Sequence, residues 1–418
     1  MESTSLLSLV SHRVRGGTSG NFYKASCLAF LNRLRGGVII LEEAGQEQVF
    51  GSHTPGLESI EARIQVSNPE FYRMVCRQGS IGAAEAYMHG YWRSPSLVTV
   101  IRLFSRNIDV LNKLDGLGQF ANKIFDWVYL KVSDNSLAGS KRNIAAHYDL
   151  SNAFFSEFLS KDMMYSAAIY DSPEMPLEEA SENKLRTICE KLKLKASDHL
   201  LEIGSGWGGM AIFAAEYYGA RVTTTTISEQ QYNYVVDLVA RKNLRHKITV
   251  LKQDYRLLEG KYDKLVSIEM IEAVGANHYK QYFSKCDQLL KDNGLMLLQA
   301  ITIPNQRFLS AKRSVDFIKR YIFPGGCLPS NEVIESSLRR YTKMQCIGLH
   351  DITEDYALTL KAWRKAFHLN RGAIVEKGFD DAFMKMWDFY LCYCEGGFKE
   401  RVIGTTQLLL AKEKFRFT

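Results

Sequence analysis

The segment that decides the fold is HLLEIGSGWGGMAIFAAEYY, residues 199–218. Its first five residues are largely apolar and indicate a buried strand, and a helical pattern begins near residue 208. Between them, Gly204 and Gly206 allow a ligand to approach the backbone where any Cβ would collide with it. A strand, a glycine-rich turn and a helix form the nucleotide-binding crevice of doubly wound α/β proteins. A tight turn that binds nothing is the alternative explanation of the same pattern.

Strands and helices alternate downstream of this segment. The hydrophobic pattern predicts strands at His199–Ile203, Arg221–Ile227, Ile248–Lys252, Tyr262–Ile268 and Gly294–Ile303, with helices near 208–218, 229–242 and 278–290. Five strands that alternate with helices predict a doubly wound, Rossmann-like α/β domain with a parallel sheet.

Two absences narrow the choice of ligand. A dinucleotide site requires an acidic residue about 20 residues after its glycine turn, but the second strand ends in Thr223-Thr224-Thr225-Thr226-Ile227. The lysine of a nucleoside triphosphate loop is also missing, so NAD and ATP are both disfavoured. The next helix begins at Ser228, and Gln231 is predicted to reach back to the Ser228 backbone in a capping box.

The first third of the chain has a different pattern. A helix over 22–35, a strand over 37–43 and a second helix from Pro69 predict a smaller α+β domain. An amphipathic stretch over 97–132 is either a helix buried in its own domain or one that lies on lipid. We predict an N-terminal lipid-interacting domain over 1–132, a polar linker over 133–146 and a catalytic domain over 147–418.

Charge and composition restrict the partners and the compartment. The 418 residues carry a net charge of +7. Residues 1–35 contain a single acidic residue, Glu2, but five Lys and Arg residues: Arg13, Arg15, Lys24, Arg33 and Arg35. No nucleic-acid-binding signature accompanies them, so a lipid surface or an ordinary solvated basic face explains them. The eight scattered cysteines indicate neither a zinc site nor a disulfide framework. With no bilayer-spanning run and no secretory signal, we expect a cytoplasmic protein that is peripheral to the inner face of the membrane.

Several segments resemble, in family order, the cyclopropane-fatty-acyl-phospholipid synthases, which include the mycolic acid cyclopropane synthases. They are HYDLSNAFFSEFL (147–159), MYSAAIY (164–170), LEIGSGWGG (201–209), TISEQQ (226–231), SIEMIEAVG (267–275), YIFPGGCLPS (321–330) and CEGGF (394–398). Residues 68–92 also resemble the N-terminal domain of the bacterial members that act on lipid. The resemblance implies an S-adenosylmethionine (SAM)-dependent methyltransferase.

The resemblance also implies site residues. For SAM these are Tyr165, Ser166, Gly204, Gly206, Trp207, Thr226, Gln231, Asp254 and Tyr255. The family also uses a bound bicarbonate as base, and the matching positions are Glu272, the Ile301 backbone and Tyr356. Two positions depart from the family, since Ala167 replaces its cysteine and Gln299 its histidine. These departures put the final product in doubt.

The implied reaction adds a methylene group to a double bond of an unsaturated phospholipid acyl chain and gives a cyclopropane ring. Attack by the double bond leaves a carbocation, so the site must exclude water, and a base must then remove a proton. Glu272 follows the fourth strand, at the edge where ligands bind in this architecture. A methyltransferase that leaves a methyl or methylene branch and a non-catalytic lipid-binding protein are the alternatives. No nucleic-acid partner is expected, and assembly as a homodimer is left open.

Overall fold

The computed structural model describes residues 19–109, 126, 129–136, 139–140 and 151–416. Several features of the sequence lie outside the described residues. These are the basic residues Arg13 and Arg15, much of the predicted amphipathic stretch 97–132, part of the predicted linker and the first four residues of the segment 147–159.

The N-terminal region forms its own four-stranded sheet. Its elements are α1 (Ser19–Leu31), β1 (Gly37–Glu43), β2 (Gln46–Ser52), β3 (Ile60–Val66), α2 (Glu70–Met88), β4 (Trp92–Arg93) and α3 (Leu97–Arg106). The strand order is β2-β1-β3-β4, in which β1 and β3 are parallel and the outer pairs are antiparallel. Residues 37–43 form the predicted strand, and the smaller α+β region is confirmed.

The larger sheet contains seven strands. They are β5 (His199–Ile203), β6 (Arg221–Thr226), β7 (Ile248–Lys252), β8 (Tyr262–Ile268), β9 (Leu290–Thr302), β10 (Met344–Asp351) and β11 (Gly404–Lys412), in the order β10-β11-β9-β8-β5-β6-β7. The five predicted strands are present and parallel, which confirms the doubly wound sheet. The sequence pattern missed β10 and β11, which add to the β9 edge as antiparallel strands.

Helices of the C-terminal region cover this sheet or pack against the N-terminal region. They are α4 (Asn152–Phe155), α5 (Leu177–Lys191), α6 (Gly209–Tyr217), α7 (Glu229–Arg241), α8 (Tyr279–Leu289), α9 (Asn305–Arg313), α10 (Asn331–Tyr341), α11 (Thr353–Leu369), α12 (Arg371–Glu376) and α13 (Asp381–Lys399). Consecutive strand residues point to opposite faces of the sheet. In β5, Leu200 and Leu201 accordingly join separate apolar clusters, one on each side.

Helices α3 and α13 join the two regions. A Cβ on Gly396 would lie 2.7 Å from Cγ2 of Ile101, so only glycine allows this close helix contact. Arg102 and Arg106 each donate to Glu400 at 2.6 Å. The described part of the amphipathic stretch 97–132 is therefore mostly a helix packed within the protein, the first of the two interpretations of this segment.

The segment between the two regions contacts the larger one. Asn135 donates to the Gly325 carbonyl at 2.8 Å, and its own carbonyl accepts from Arg256 at 3.2 Å. Ser133, Asn135 and Ser140 are buried. The described residues of 133–146 thus lie against the protein, and the predicted domain boundaries stay a prediction.

Within the described ranges, no helix combines the length and the apolar character that crossing a bilayer would require.

Candidate active site

The glycine-rich turn lies at the carboxyl edge of the larger sheet, between β5 and α6. Gly204 and Gly206 have φ values of +94° and +49°, which favour glycine over other residues. A Cβ on Gly206 would meet nothing within 4 Å, whereas one on Gly204 would lie 3.2 Å from Cγ of Met270. The space in front of Gly206 is therefore open to a ligand, and Met270 forms the opposite wall.

The start of α7 forms a second wall of the crevice. Ser228 caps the helix by accepting from the Gln231 backbone N–H at 3.3 Å. The other half of the predicted capping box is wrong, because the Ser228 N–H donates to Oγ1 of Thr226. The Gln231 side chain instead accepts a 2.8 Å hydrogen bond from the Thr226 hydroxyl. The hydroxyl of Thr226, which ends β6, thus binds both the Ser228 N–H and the Gln231 side chain, the two groups that a capping box would have joined. It also fixes the amide of Gln231 at the crevice.

The remaining residues predicted to bind SAM also surround this crevice. Asp254 forms a bidentate ion pair with Arg256, at 2.8 and 2.7 Å, and Tyr255 follows it in the cavity wall. Trp207 is buried and donates from Nε1 to Asn152 at 2.7 Å. These contacts hold the side chains in place around the open space.

The segment before α5 brings Tyr165 and Ser166 to the same wall. The Tyr165 hydroxyl shares a 2.8 Å hydrogen bond with the hydroxyl of Tyr390 on α13. Ser166 accepts a 2.8 Å hydrogen bond from the ammonium group of Lys184, which is fully buried. Burial lowers the pKa of Lys184 to about 8, although Asp162 and Glu269 oppose that shift.

A buried carboxyl group lies at the end of β5. Glu202 lines the crevice and accepts a 2.6 Å hydrogen bond from the hydroxyl of Thr224. Burial raises the pKa of Glu202 to about 8, against the opposing effects of Thr224 and Lys184. A carboxyl group whose neutral form is favoured by burial therefore lines the crevice, and the ammonium group of Lys184 lies behind it.

Glu269 is the central polar group of the site, and the sequence analysis did not select it. It follows the last residue of β8 and has a φ of +48°, a conformation that costs free energy in any residue except glycine. Its Oε1 accepts from the Ala167 N–H and from Nε2 of Gln299, both at 2.9 Å. Its Oε2 accepts from the Tyr356 hydroxyl at 2.7 Å.

These three donors are groups at positions that the family resemblance assigns to bicarbonate. Gln299 is fully buried, and its own carbonyl oxygen accepts from Gln407 at 2.9 Å, which fixes the direction of its NH₂ group. The donors predicted to hold bicarbonate at Ala167, Gln299 and Tyr356 therefore already have a carboxylate acceptor within the chain.

Glu272 lies in the short turn after Glu269. Its Oε1 accepts from the Ile301 N–H at 2.5 Å, so the predicted backbone contact of Ile301 goes to this side chain. Its Oε2 is buried and has no hydrogen-bond partner among the described residues. Burial, followed by the nearby charge of Glu269, raises the pKa of Glu272 to about 8. Two carboxyl groups with different surroundings thus share one site.

A cavity of about 2560 Å³ connects these groups to the N-terminal region. Gly206, Glu269 and Glu272 line one part of it, and Phe30 and Ile64 of the smaller region line another. Ligand pockets for small molecules usually enclose about 300–1,000 Å³. This cavity has room for a cofactor and for a long apolar substrate beside it.

The residues present fit SAM. The turn at Gly206 is open, Thr226 and Gln231 stand where a dinucleotide site has its ribose-binding acid, and the carboxyl group of Glu202 lines the same cavity. When bound, SAM supplies a methyl group on a positively charged sulfur. The Rossmann-like sheet and this crevice define a SAM-dependent methyltransferase.

Comparison with known proteins supports the assignment to this class of enzyme. A family model described as mycolic acid cyclopropane synthetase matches residues 135–408, which is more than half of the chain. The chain belongs to this family of SAM-dependent enzymes, which includes the cyclopropane-fatty-acyl-phospholipid synthases.

Two relatives match both regions. The tuberculostearic acid methyltransferase UfaA1 of Mycobacterium tuberculosis is 35% identical over 348 residues, which cover 82% of this chain and 81% of the relative. The cyclopropane-fatty-acyl-phospholipid synthase of Escherichia coli K12 is 34% identical over 359 residues, which cover 85% of this chain and 89% of the relative. A mycolic acid cyclopropane synthase, CmaA1, solved with SAH and CTAB, has a TM-score of 0.61 at 30% identity and covers 65% of this chain and 98% of its own.

The structure brings the predicted site residues together around one cavity wall or just behind it. The sequence analysis missed Glu269, Lys184 and Glu202. The sequence did contain a signal for Glu269. Like Glu272, it follows the fourth predicted strand, and the residues directly beside it are uncharged. Its role was hidden because the donors that surround it come from distant segments.

Proposed function

We propose that this enzyme transfers a one-carbon unit from SAM to the double bond of an unsaturated phospholipid acyl chain and closes a cyclopropane ring. The predicted site residues are proposed to act in two groups. The first group holds SAM: Tyr165, Ser166, Gly204, Gly206, Trp207, Thr226, Gln231, Asp254 and Tyr255. The second group forms the reaction centre: Ala167, Glu272, Gln299, Ile301 and Tyr356. Glu269, which was not among the predicted residues, joins this group because it accepts hydrogen bonds from Ala167, Gln299 and Tyr356.

The single observation that carries the proposal is the continuity of the apolar cavity with the carboxylate site. Phe30, Ile64 and Phe71 of the N-terminal region line the same space as Glu269 and Gly206. An acyl chain is apolar along its length, so burial in such a cavity stabilises it by about 25 cal/mol for each Å² removed from water. A small polar methyl acceptor would leave most of this surface without a partner.

The walls near Glu269 suit a cationic intermediate in the acyl chain. Tyr165, Phe323 and Tyr390 line the cavity there, and the rings of Tyr165 and Phe323 lie 6.5 Å apart. Aromatic faces attract cations, by roughly 2 kcal/mol where water is excluded. The same rings exclude water, which would otherwise convert the cation into an alcohol.

Basic side chains at the cavity support a phospholipid as the substrate. Lys312 and Arg313 end helix α9, and both line the cavity. Neither forms an ion pair within the described part of the chain. Phosphate groups bind to Lys and Arg through charge-assisted hydrogen bonds. We propose that these side chains face the headgroup while the acyl chain enters the cavity, and that the enzyme acts peripherally at a cytoplasmic membrane surface.

The test is the analysis of lipid products after incubation with SAM that carries a trideuterated methyl group. Vesicles that contain a monounsaturated phospholipid provide the double bond. Ring closure removes one deuterium, so the product keeps two, and NMR distinguishes a ring from an exocyclic methylene group. Unchanged lipid together with consumed SAM would contradict the proposal.

Transfer without ring closure is the second candidate. Ala167 and Gln299 depart from the family pattern, and one relative at 35% identity is named a tuberculostearic acid methyltransferase. If the cation loses a proton from the acyl chain instead of the new methyl group, the product keeps three deuterium atoms. The mass spectrum therefore separates this product from a ring, and NMR identifies an exocyclic methylene product, which also keeps two deuterium atoms.

A further inference from the structure

The surroundings of Glu269 are unusual for a structural side chain. It adopts a left-handed backbone conformation and faces the cavity, and three donors converge on its two oxygens. The charge of the buried Lys184 ammonium group also favours the charged form of this carboxyl group. Strain of this kind persists where the surrounding structure holds the residue in place, and such residues cluster at functional sites.

We infer that Glu269 is the base of this enzyme, and that its carboxylate takes the place of the bicarbonate that the family resemblance implies. This inference rests on the proposed function. Three of the groups that would hold the anion, at Ala167, Gln299 and Tyr356, donate to Glu269 instead. A bicarbonate ion and a glutamate side chain present the same planar O–C–O group to such donors. The enzyme therefore works without bicarbonate.

The proton transfer balances within the site. The π electrons of the acyl double bond form a bond to the methyl carbon, and the electron pair of the S–CH₃ bond stays on sulfur. Glu269 then accepts a proton from the new methyl group, and the electrons of that C–H bond close the ring. The proton later leaves to solvent. The net products are the cyclopropane lipid, the demethylated cofactor and one proton.

The two neighbouring carboxyl groups, Glu269 and Glu272, have different surroundings and therefore different roles. Burial raises the pKa of Glu269, while Gln299, the Ala167 N–H and Tyr356 oppose the shift by donating hydrogen bonds to the carboxylate. At Glu272 only backbone groups, that of Ile301 and its own, oppose the shift, and the carboxyl group faces the charge of Glu269. Environments that differ in this way separate an acid from a base. The three donors therefore favour the charged form of Glu269, while burial and the nearby negative charge favour the neutral form of Glu272.

The experiment compares three forms of the enzyme in CO₂-depleted buffer, with and without added bicarbonate. The parent is expected to turn over equally in both. Glu269→Gln should lose roughly 10²–10⁴-fold in turnover, since its amide keeps the shape but cannot accept the proton. The turnover of Glu269→Gly should fall by a similar factor without bicarbonate and should recover when bicarbonate is added. Glycine adopts the φ of +48° without strain, and its lack of a side chain leaves the three donors available to bind the added anion.

Glu335→Gln is the control, because Glu335 is exposed on α10 and should leave turnover unchanged. Parental turnover that falls in CO₂-depleted buffer and returns with bicarbonate would overturn the inference. Near-parental turnover of Glu269→Gln would also overturn it.

A binding measurement separates this inference from the proposed function. With ¹³C-labelled bicarbonate, NMR should detect binding to Glu269→Gly and none to the parent, whether or not either form modifies lipid. Bicarbonate binding by the parent would refute the replacement even if the enzyme is active. A parent that binds no bicarbonate and modifies no lipid would refute the proposed reaction and leave the replacement of the anion standing.

Discussion

The hydroxyl of Tyr356 lies 2.7 Å from Oε2 of Glu269 and donates a hydrogen bond to it. The ring of Tyr356 stacks on Phe398, with ring centroids 4.4 Å apart and an angle of 22° between the planes. Helix α11 therefore supplies the hydroxyl, helix α13 fixes the ring, and the end of β8 supplies the carboxylate. One hydrogen bond is therefore held in place by three elements that lie far apart in the sequence.

Removing this hydroxyl should weaken the reaction without disturbing the fold. Tyr356→Phe keeps the stacking on Phe398 and deletes one donor to a charged group, a contribution of about 1.5–3 kcal/mol. We expect turnover to fall roughly 10- to 100-fold, less than for Glu269→Gln, while the affinity for SAM stays unchanged. Turnover assays and calorimetry on both variants check this. Tyr217→Phe, at an exposed position on α6, is the control, and equal losses in the two variants would refute the prediction.

Filling the open space at the glycine turn should abolish cofactor binding. Gly206→Val places a branched side chain where a Cβ meets no protein atom within 4 Å. Because valine is also strained at positive φ, Gly378→Val is the matched control, with a φ of +94° and equally open space. We expect calorimetry to show SAM binding for the control and none for Gly206→Val, with both variants folded by circular dichroism. SAM binding of equal strength in the two variants would place the cofactor elsewhere.

The raised pKa of Glu272 predicts a dependence of stability on pH. The pKa of Glu272 rises from an ordinary value of 4.5 to about 8 in the folded protein. Between these values the folded form holds a proton that the unfolded chain has released. The stabilisation is complete below pH 4.5 and is lost as the pH rises through about 8.

Glu272→Gln should remove this dependence. The free energy of unfolding of the variant, minus that of the parent, should increase across that pH range by roughly 1–3 kcal/mol. Urea denaturation at several pH values measures it. Because glutamine resembles a protonated carboxyl group, the variant should also lose less turnover than Glu269→Gln. A difference that stays constant with pH would show that Glu272 is ionised in the fold.

Charge at the cavity should control access to anionic lipid. Replacing Lys312 and Arg313 with Gln removes two cations, each of which gains about 1 kcal/mol near an anionic surface. We expect kcat/KM on anionic vesicles to fall roughly tenfold or more at low salt, with a smaller loss on zwitterionic vesicles, whose headgroups keep a phosphate group but carry no net charge. Lys195→Gln combined with Arg245→Gln is the control, since both residues precede strands at the opposite edge of the sheet. Equal effects of the two double variants would show that only net charge matters.

The basic N-terminal segment supports lipid binding less directly. Lys24 pairs with Glu43 at 2.5 Å, and Arg35 donates to Ser52 at 3.0 Å, so both contribute to local structure. Arg13 and Arg15 lie outside the described residues. Substitutions at the end of α9 therefore test lipid binding more directly than substitutions in the N-terminal segment.

Local pattern predicted much of the larger sheet. β5, β7 and β8 match the expected residues, because a run of apolar residues bounded by turns has few alternatives in an α/β protein. β10 was missed because most of its residues are exposed and carry no apolar pattern. β11 is mostly buried but begins with the polar residues Thr405, Thr406 and Gln407, and no local signal specifies its antiparallel pairing with β9.

The sequence by itself determined the class of this protein, because the glycine turn, the missing acid after β6 and the ordered family segments are all local features. Tertiary structure decided the chemistry at Glu269. Ala167, Gln299 and Tyr356 lie 102, 30 and 87 residues away from it along the chain, and each comes from a different element. Periodicity shows which face of a strand or helix is buried, but it does not show which distant side chains meet there. That convergence depends on long-range packing, so only the folded chain places a carboxylate where the family pattern implied a separate anion.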